Sequence, residues 1–170
     1  DQSVTATLRY GETCKTLPTP TQYGYDFVGW NSQEDGKGFS VGTNTLADKV
    51  ATYQTLYAQW RAKKITVSFN TNQGSGSSTP DQVNAITVTY GSKYSNLPTT
   101  ERVGYTFDGW YTEATGGTKV EKTNKVTREN HTLYAHWTAK KYTVLFNQVG
   151  GTFPSGTTKM LIDQTYDDTY

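Results

Sequence analysis

One cysteine, one methionine, two histidines and five prolines are all that 170 residues supply of those types. A single thiol, Cys14, makes no internal disulfide, so bridges do not hold this fold together. Charge of one sign is also missing: 16 basic residues stand against 15 acidic ones. Such a balance lacks the basic surface that a nucleic-acid or anionic-membrane partner requires. No apolar run approaches the roughly 20 residues of a membrane-spanning helix. No signal peptide is present and the chain starts at Asp1 without Met, so any targeting segment is expected outside this piece. Leucine is scarce, with eight copies, whereas threonine occurs 31 times. Thr, Tyr and Val favour pleated, half-buried surfaces. The composition therefore predicts a β-rich chain with much solvent contact.

What is abundant is repetition. Gly24-Tyr25-Asp26-Phe27-Val28-Gly29-Trp30 returns 80 positions later as Gly104-Tyr105-Thr106-Phe107-Asp108-Gly109-Trp110. Tyr10-Gly11 matches Tyr90-Gly91, and Leu17-Pro18 matches Leu97-Pro98, at the same offset. Leu56-Tyr57-Ala58-Gln59-Trp60 matches Leu133-Tyr134-Ala135-His136-Trp137 at an offset of 77. Three residues are thus missing from the second copy between its tryptophans. That interval must hold a tolerant loop, because surface loops absorb length changes cheaply. Tyr142-Thr143-Val144-Leu145-Phe146-Asn147 echoes Ile65-Thr66-Val67-Ser68-Phe69-Asn70 and opens a third copy. The expected parsing is a first unit over 1–63 lacking its opening strand, a complete unit over 64–140, and the start of a third over 141–170. The chain reads as a fragment of a longer array.

Alternation places the strands. Val4, Ala6, Leu8 and Tyr10 share one face of a first strand, and Ile65, Val67 and Phe69 one face of another. Ile86, Val88 and Tyr90 return as the partner of the latter, across a Gly/Ser-rich turn. Strict alternation would put Trp30 opposite Tyr25 and Phe27. A bulge at Gly29, and likewise at Gly109, would bring both tryptophans to the core. The expected core is Tyr25, Phe27, Trp30, Trp60, Tyr105, Phe107, Trp110 and Trp137. Leu46 to Val50 is expected to form at most one helical turn. Arg61-Ala62-Lys63-Lys64 and Thr138-Ala139-Lys140-Lys141 are connectors without Gly or Pro, which predicts limited hinging.

Chemistry is sparse. His131 and His136 have no cysteine beside them, and metal sites need converging ligands. His136 aligns with Gln59 and reads as an ordinary outward residue. Cys14 has no histidine in its own unit to activate it. Glu34, Asp35, Asp163, Asp167 and Asp168 lack the spacing of a calcium loop. Gly74-Ser75-Gly76 and Gly116-Gly117-Thr118-Lys119 lack phosphate-loop spacing and read as turns. No catalytic, cofactor-binding or metal residue is assigned, no cofactor is expected, and an enzyme is the remotest reading.

The ordered motifs are similar to one known family. Lys-Lys-x-Thr-Val-x-Phe-Asn, Thr-x-Tyr-Gly, Leu-Pro, Gly-Tyr-x-Phe-x-Gly-Trp and Leu-Tyr-Ala-x-Trp resemble the Listeria–Bacteroides repeat, the B-repeat type of internalin-like surface proteins. Asn31 departs from the aromatic that Tyr111 supplies in the second copy. The resemblance implies a mainly β fold of small, tandem, elongated β-grasp-like modules. It further implies a secreted or wall-attached bacterial protein with stalk, spacer or adhesion duty. Neighbouring repeats would be its partners, with a host or cell-surface protein or glycan as a further one. Two other readings stay open. Tyr23, Tyr53, Tyr57, Tyr111 or Tyr134 could stack on sugars. Alternatively Tyr142, Val144 and Phe146 could add as a strand to another chain, giving self-association.

Overall fold

The structure is a computed structural model. It describes residues 11–13, 17–43, 45, 55–73, 82–147, 149–151, 153–154 and 159–166. Ten strands make up its regular structure: β1 (Tyr25–Asn31), β2 (Ser40–Val41), β3 (Tyr57–Ala62), β4 (Lys64–Asn70) and β5 (Ile86–Thr89), then β6 (Tyr105–Tyr111), β7 (Lys119–Val120), β8 (His131–Ala139), β9 (Lys141–Asn147) and β10 (Lys159–Thr165). The described residues contain no helix, so the fold is mainly β as the composition requires. The expected turn at 46–50, the strand over residues 4–10, the turn at 74–76, and Cys14, Tyr53, Asp167 and Asp168 lie outside the described residues.

The chain forms two compact units. The first comprises residues 1–65 with 88–92 and 125–129; the second holds residues 66–87, 93–124 and 130–170. Three sheets run through them, ordered β2-β1-β3, β5-β4-β8-β6-β7 and β10-β9. In the five-stranded sheet β4 pairs with β8 in parallel, with Val67 facing His131 and Phe69 facing Leu133. The outward-facing Lys64, Thr66, Ser68 and Asn70 are exposed, and Ile65 and Val67 between them are fully buried. This is the period-two pattern of a strand with one covered face.

The glycine bulge forms in both copies. Phe27 faces Trp60 and Gly29 faces Gln59, which makes Val28 the extra residue. Phe107 faces Trp137 and Gly109 faces His136, so Asp108 takes that place in the second copy. Gly29 and Gly109 adopt φ of 152° and 133°, which an L side chain rarely accepts. The extra residue returns each tryptophan to the face of its phenylalanine. Phe27 and Trp30 then lie 5.5 Å apart edge to face, and Phe107 and Trp110 lie 5.3 Å apart. Val28, displaced to the outside, is 60% exposed.

The paired copies also locate the missing residues. Trp30 faces Val41, eleven positions on, whereas Trp110 faces Val120, ten positions on. One of the three residues therefore belongs to the hairpin loop after β1, and two come after β2.

Candidate functional site

The phenylalanines and tryptophans expected in the core pack within their own copies, though to different depths. Trp110 is 2% exposed, while Trp30, Trp60 and Trp137 are half-buried, as are Tyr25, Phe27, Tyr105 and Phe107. Each bulge tryptophan is tied to a proline carbonyl twelve residues back. The Trp30 indole N–H donates to Pro18 O at 2.9 Å, and that of Trp110 to Pro98 O at 2.7 Å. The Leu-Pro motif thus has a second use that alternation could not reveal. It presents an acceptor to the indole N–H, which at the deeply buried Trp110 would otherwise be costly to leave unpaired. Trp137 donates likewise to Thr71 O at 2.8 Å.

The loop after the bulge strand has one brace common to the two copies, Gln59 to Gln33 O at 3.4 Å and His136 to Glu113 O, and one that differs. In the first, Asn31 is a polar side chain only 4% exposed. Its amide donates to Gly36 O and Gly38 O at 3.1 and 3.2 Å, and its oxygen accepts from Gln33 N–H at 2.9 Å. In the second, Tyr111 stacks face to face on His136 at 3.8 Å. Nε2 of His136 donates to Glu113 O at 3.0 Å. His136 alternates with the buried Leu133 and Ala135 and so lies on the outward face, where it also holds the loop. The departure at Asn31 is a substitute brace. Asn31→Ala is expected to cost about 1–3 kcal/mol by removing three part-buried hydrogen bonds. Faster amide exchange confined to residues 32–40 is the check.

His131 is also occupied: its Nε2 lies 2.8 Å from the hydroxyl of buried Tyr94. Among the described residues no three His, Cys, Asp or Glu side chains gather as for a metal ion. Asp163 accepts from the Thr143 hydroxyl at 2.8 Å across β9 and β10. Asp35 accepts from Lys37 N–H and pairs with the exposed Lys37 ammonium at 3.4 Å. Gly116 and Gly117 hold φ of 70° and 73° in the loop between β6 and β7.

Of the tyrosines considered for sugar stacking, Tyr111 and Tyr134 are paired across β6 and β8. Tyr111 gives one face to His136, Tyr134 is half-buried, and Tyr23 points its ring edgewise to Tyr90 at 5.7 Å. The most exposed apolar strand is β9. Tyr142 and Leu145 are 48% and 53% exposed, and Phe146 is exposed as well. Val144 is half-buried. In the repeat pattern Tyr142 and Val144 take the places of Ile65 and Val67, which are buried, while Leu145 takes that of the exposed Ser68. Among the described strands β9 pairs only with β10.

A profile of the Listeria-Bacteroides repeat domain matches residues 1–59 and 66–136. The chain belongs to this repeat family. It is 34% identical over 140 residues to Internalin H of Listeria monocytogenes, covering 81% of this chain and 23% of that protein. It is also similar to two proteins of Evansella cellulosilytica named as inferred membrane proteins. One is 32% identical over 142 residues, covering 81% of this chain and 20% of that protein. The other, described as Gly-rich, is 37% identical over 139 residues, covering 75% and 16%. The repeat chain therefore spans about a fifth of the length of these relatives. No helix among its described residues is long and apolar enough to cross a membrane.

Proposed function

We propose that this chain is a non-catalytic, extracellular segment of a repeat array in a bacterial surface protein. Its repeats serve as a stalk or spacer that presents other domains and contributes to adhesion. The observation that supports this most is the recurrence of one frame, with bulge, tryptophan and proline carbonyl kept while loops and one of their braces vary. Family membership and the likeness to Internalin H agree with it. Repeats whose frame is fixed and whose loops are free suit a spacer, since selection then acts on stacking and length. Small-angle scattering with light scattering over a concentration series is the test. An elongated monomer at every concentration is the expected result. A compact particle would count against a spacer.

The exposed β9 favours a second reading, addition between copies. The occupant would be a Leu-Tyr-Ala-x-Trp strand of another copy, because β8, a strand of that sequence, is what covers β4. Open strand edges with an apolar face recruit such partners. Concentration-dependent growth abolished by Phe146→Lys would establish it, and the monomer expected of the spacer would dismiss it.

A further inference from the structure

Two glycines are buried against a tyrosine ring that comes from the following repeat in sequence. A Cβ on Gly24 would stand 2.3 Å from the Tyr90 ring, and one on Gly104 would stand 2.3 Å from the Tyr166 ring. Both glycines hold the left-handed conformation, at φ of 80° and 78°. The space is therefore occupied in both copies, and only a residue without a side chain admits the ring. Gly24 and Tyr90 lie in the first compact unit, and Gly104 and Tyr166 in the second, so the arrangement recurs independently.

The neighbours of the two rings repeat as well. Tyr25 meets Tyr90 edge to face at 5.5 Å, and Tyr105 meets Tyr166 in the same way at 5.5 Å. Such pairs contribute beyond the area they bury. The backbone completes each site. Lys63 N–H donates to Gly24 O at 3.0 Å, and Lys63 O accepts from Tyr90 N–H at 2.9 Å. Lys140 N–H donates to Gly104 O at 2.8 Å, and Lys140 O accepts from Tyr166 N–H at 2.9 Å. One connector residue is thus held from both sides in each case. At the first connector the side chains add to this. The Lys63 ammonium meets Glu129 at 3.2 Å, and that of Lys64 donates to the Thr89 hydroxyl at 3.0 Å.

We propose that the Gly-Tyr turn and the Lys-Lys connector form a receptor for the tyrosine that ends the second strand of the next repeat. Each repeat is clasped by its successor through Tyr90 or Tyr166, and Lys63 or Lys140 is the fixed point of the connector. The sequence alone predicts limited hinging at these connectors. The clasp accounts for it, because a backbone amide and carbonyl engaged on both sides cannot swing without breaking two hydrogen bonds and withdrawing a ring. The inference rests on the tandem-repeat reading but not on the spacer role, so the scattering result leaves it standing.

Limited trypsin digestion of the intact chain, with cleavage sites mapped by mass, tests it. Trypsin needs the connector opened, and its rate there follows the population of the open form. The wild type should resist cleavage after Lys63, Lys64, Lys140 and Lys141. Tyr90→Ala should raise cleavage after Lys63 and Lys64 by about tenfold or more, and leave the second connector at its wild-type rate. Tyr166→Ala should do the reverse, and Tyr90→Phe should keep wild-type protection. Rapid cleavage at both connectors in the wild type would overturn the clasp. So would unchanged rates in the alanine variants, or an equal rise at both connectors in either of them. Amide exchange at Lys63 gives a second reading in the same variants, expected to quicken in Tyr90→Ala alone.

Discussion

Trp110→Ala is expected to remove about 3–5 kcal/mol of stability, the usual cost of deleting a buried large aromatic. Trp110 has almost no exposed surface. Its ring lies 4.6 Å from that of Phe69 and 5.3 Å from that of Phe107. Alanine leaves a void between those rings and strands the Pro98 carbonyl, which accepts the indole N–H at 2.7 Å. A domain of this size has roughly 5–15 kcal/mol in total, so the second unit would lie close to unfolding at room temperature. Chemical denaturation followed by amide exchange in residues 93–124 measures it. Trp30→Ala is the comparison, since Trp30 has the same bulge and the same proline bond but is only half-buried. Its loss should be clearly smaller. Equal losses would mean that burial depth does not set the cost and that the shared indole bond does.

Asn72→Ala should cost about 2–4 kcal/mol, more than a surface loop residue ordinarily does. Asn72 is the one non-glycine residue with positive φ among those described, at 49°. Asn tolerates that conformation better than Ala, whose Cβ is penalised there. Its amide donates to Ala114 O at 2.8 Å and to Ala135 O at 3.2 Å. Ala135 is fully buried, so its carbonyl would lose a partner in a dry place. The neighbouring carbonyl of Thr71 holds the Trp137 indole, so displacement of the turn would reach the aromatic layer. Asn72→Gly separates the two causes. It relieves the backbone but removes the same hydrogen bonds. A glycine variant as stable as the wild type would show that conformation alone matters, and one as weak as alanine that the bonds do. Full stability in the alanine variant would refute the argument.

Much of the frame was legible because it depends on periods of the chain itself. Alternation over Ile65, Val67 and Phe69 placed a strand with one covered face. The phase conflict between Phe27 and Trp30 located the bulge, since only an extra residue at a glycine reconciles it. The offset of 80 changing to 77 placed a length change between the tryptophans, and strand pairing divided it between two loops. Braces were harder to read. Nothing in the spacing says that a proline carbonyl meets an indole twelve residues later. Nor does it say that an Asn–loop network in one copy replaces a Tyr–His stack in the other. Gln59 and His136 reach the equivalent loop carbonyls of Gln33 and Glu113, so a letter-by-letter match scores as a departure what the fold treats as an equivalent.

By itself the sequence determined the mainly β class, the repeat frame, the glycine bulges and the family, all of which follow from local alternation and from recurrence. Only the tertiary structure decided which tryptophan is deeply buried, that β4 joins β8 in parallel, and that Gly24 and Gly104 are small because a tyrosine ring occupies the space beside them. Those facts depend on residues distant in sequence meeting in space. Periodicity carries no record of such meetings, because it reports the face a side chain is on and not what it finds there.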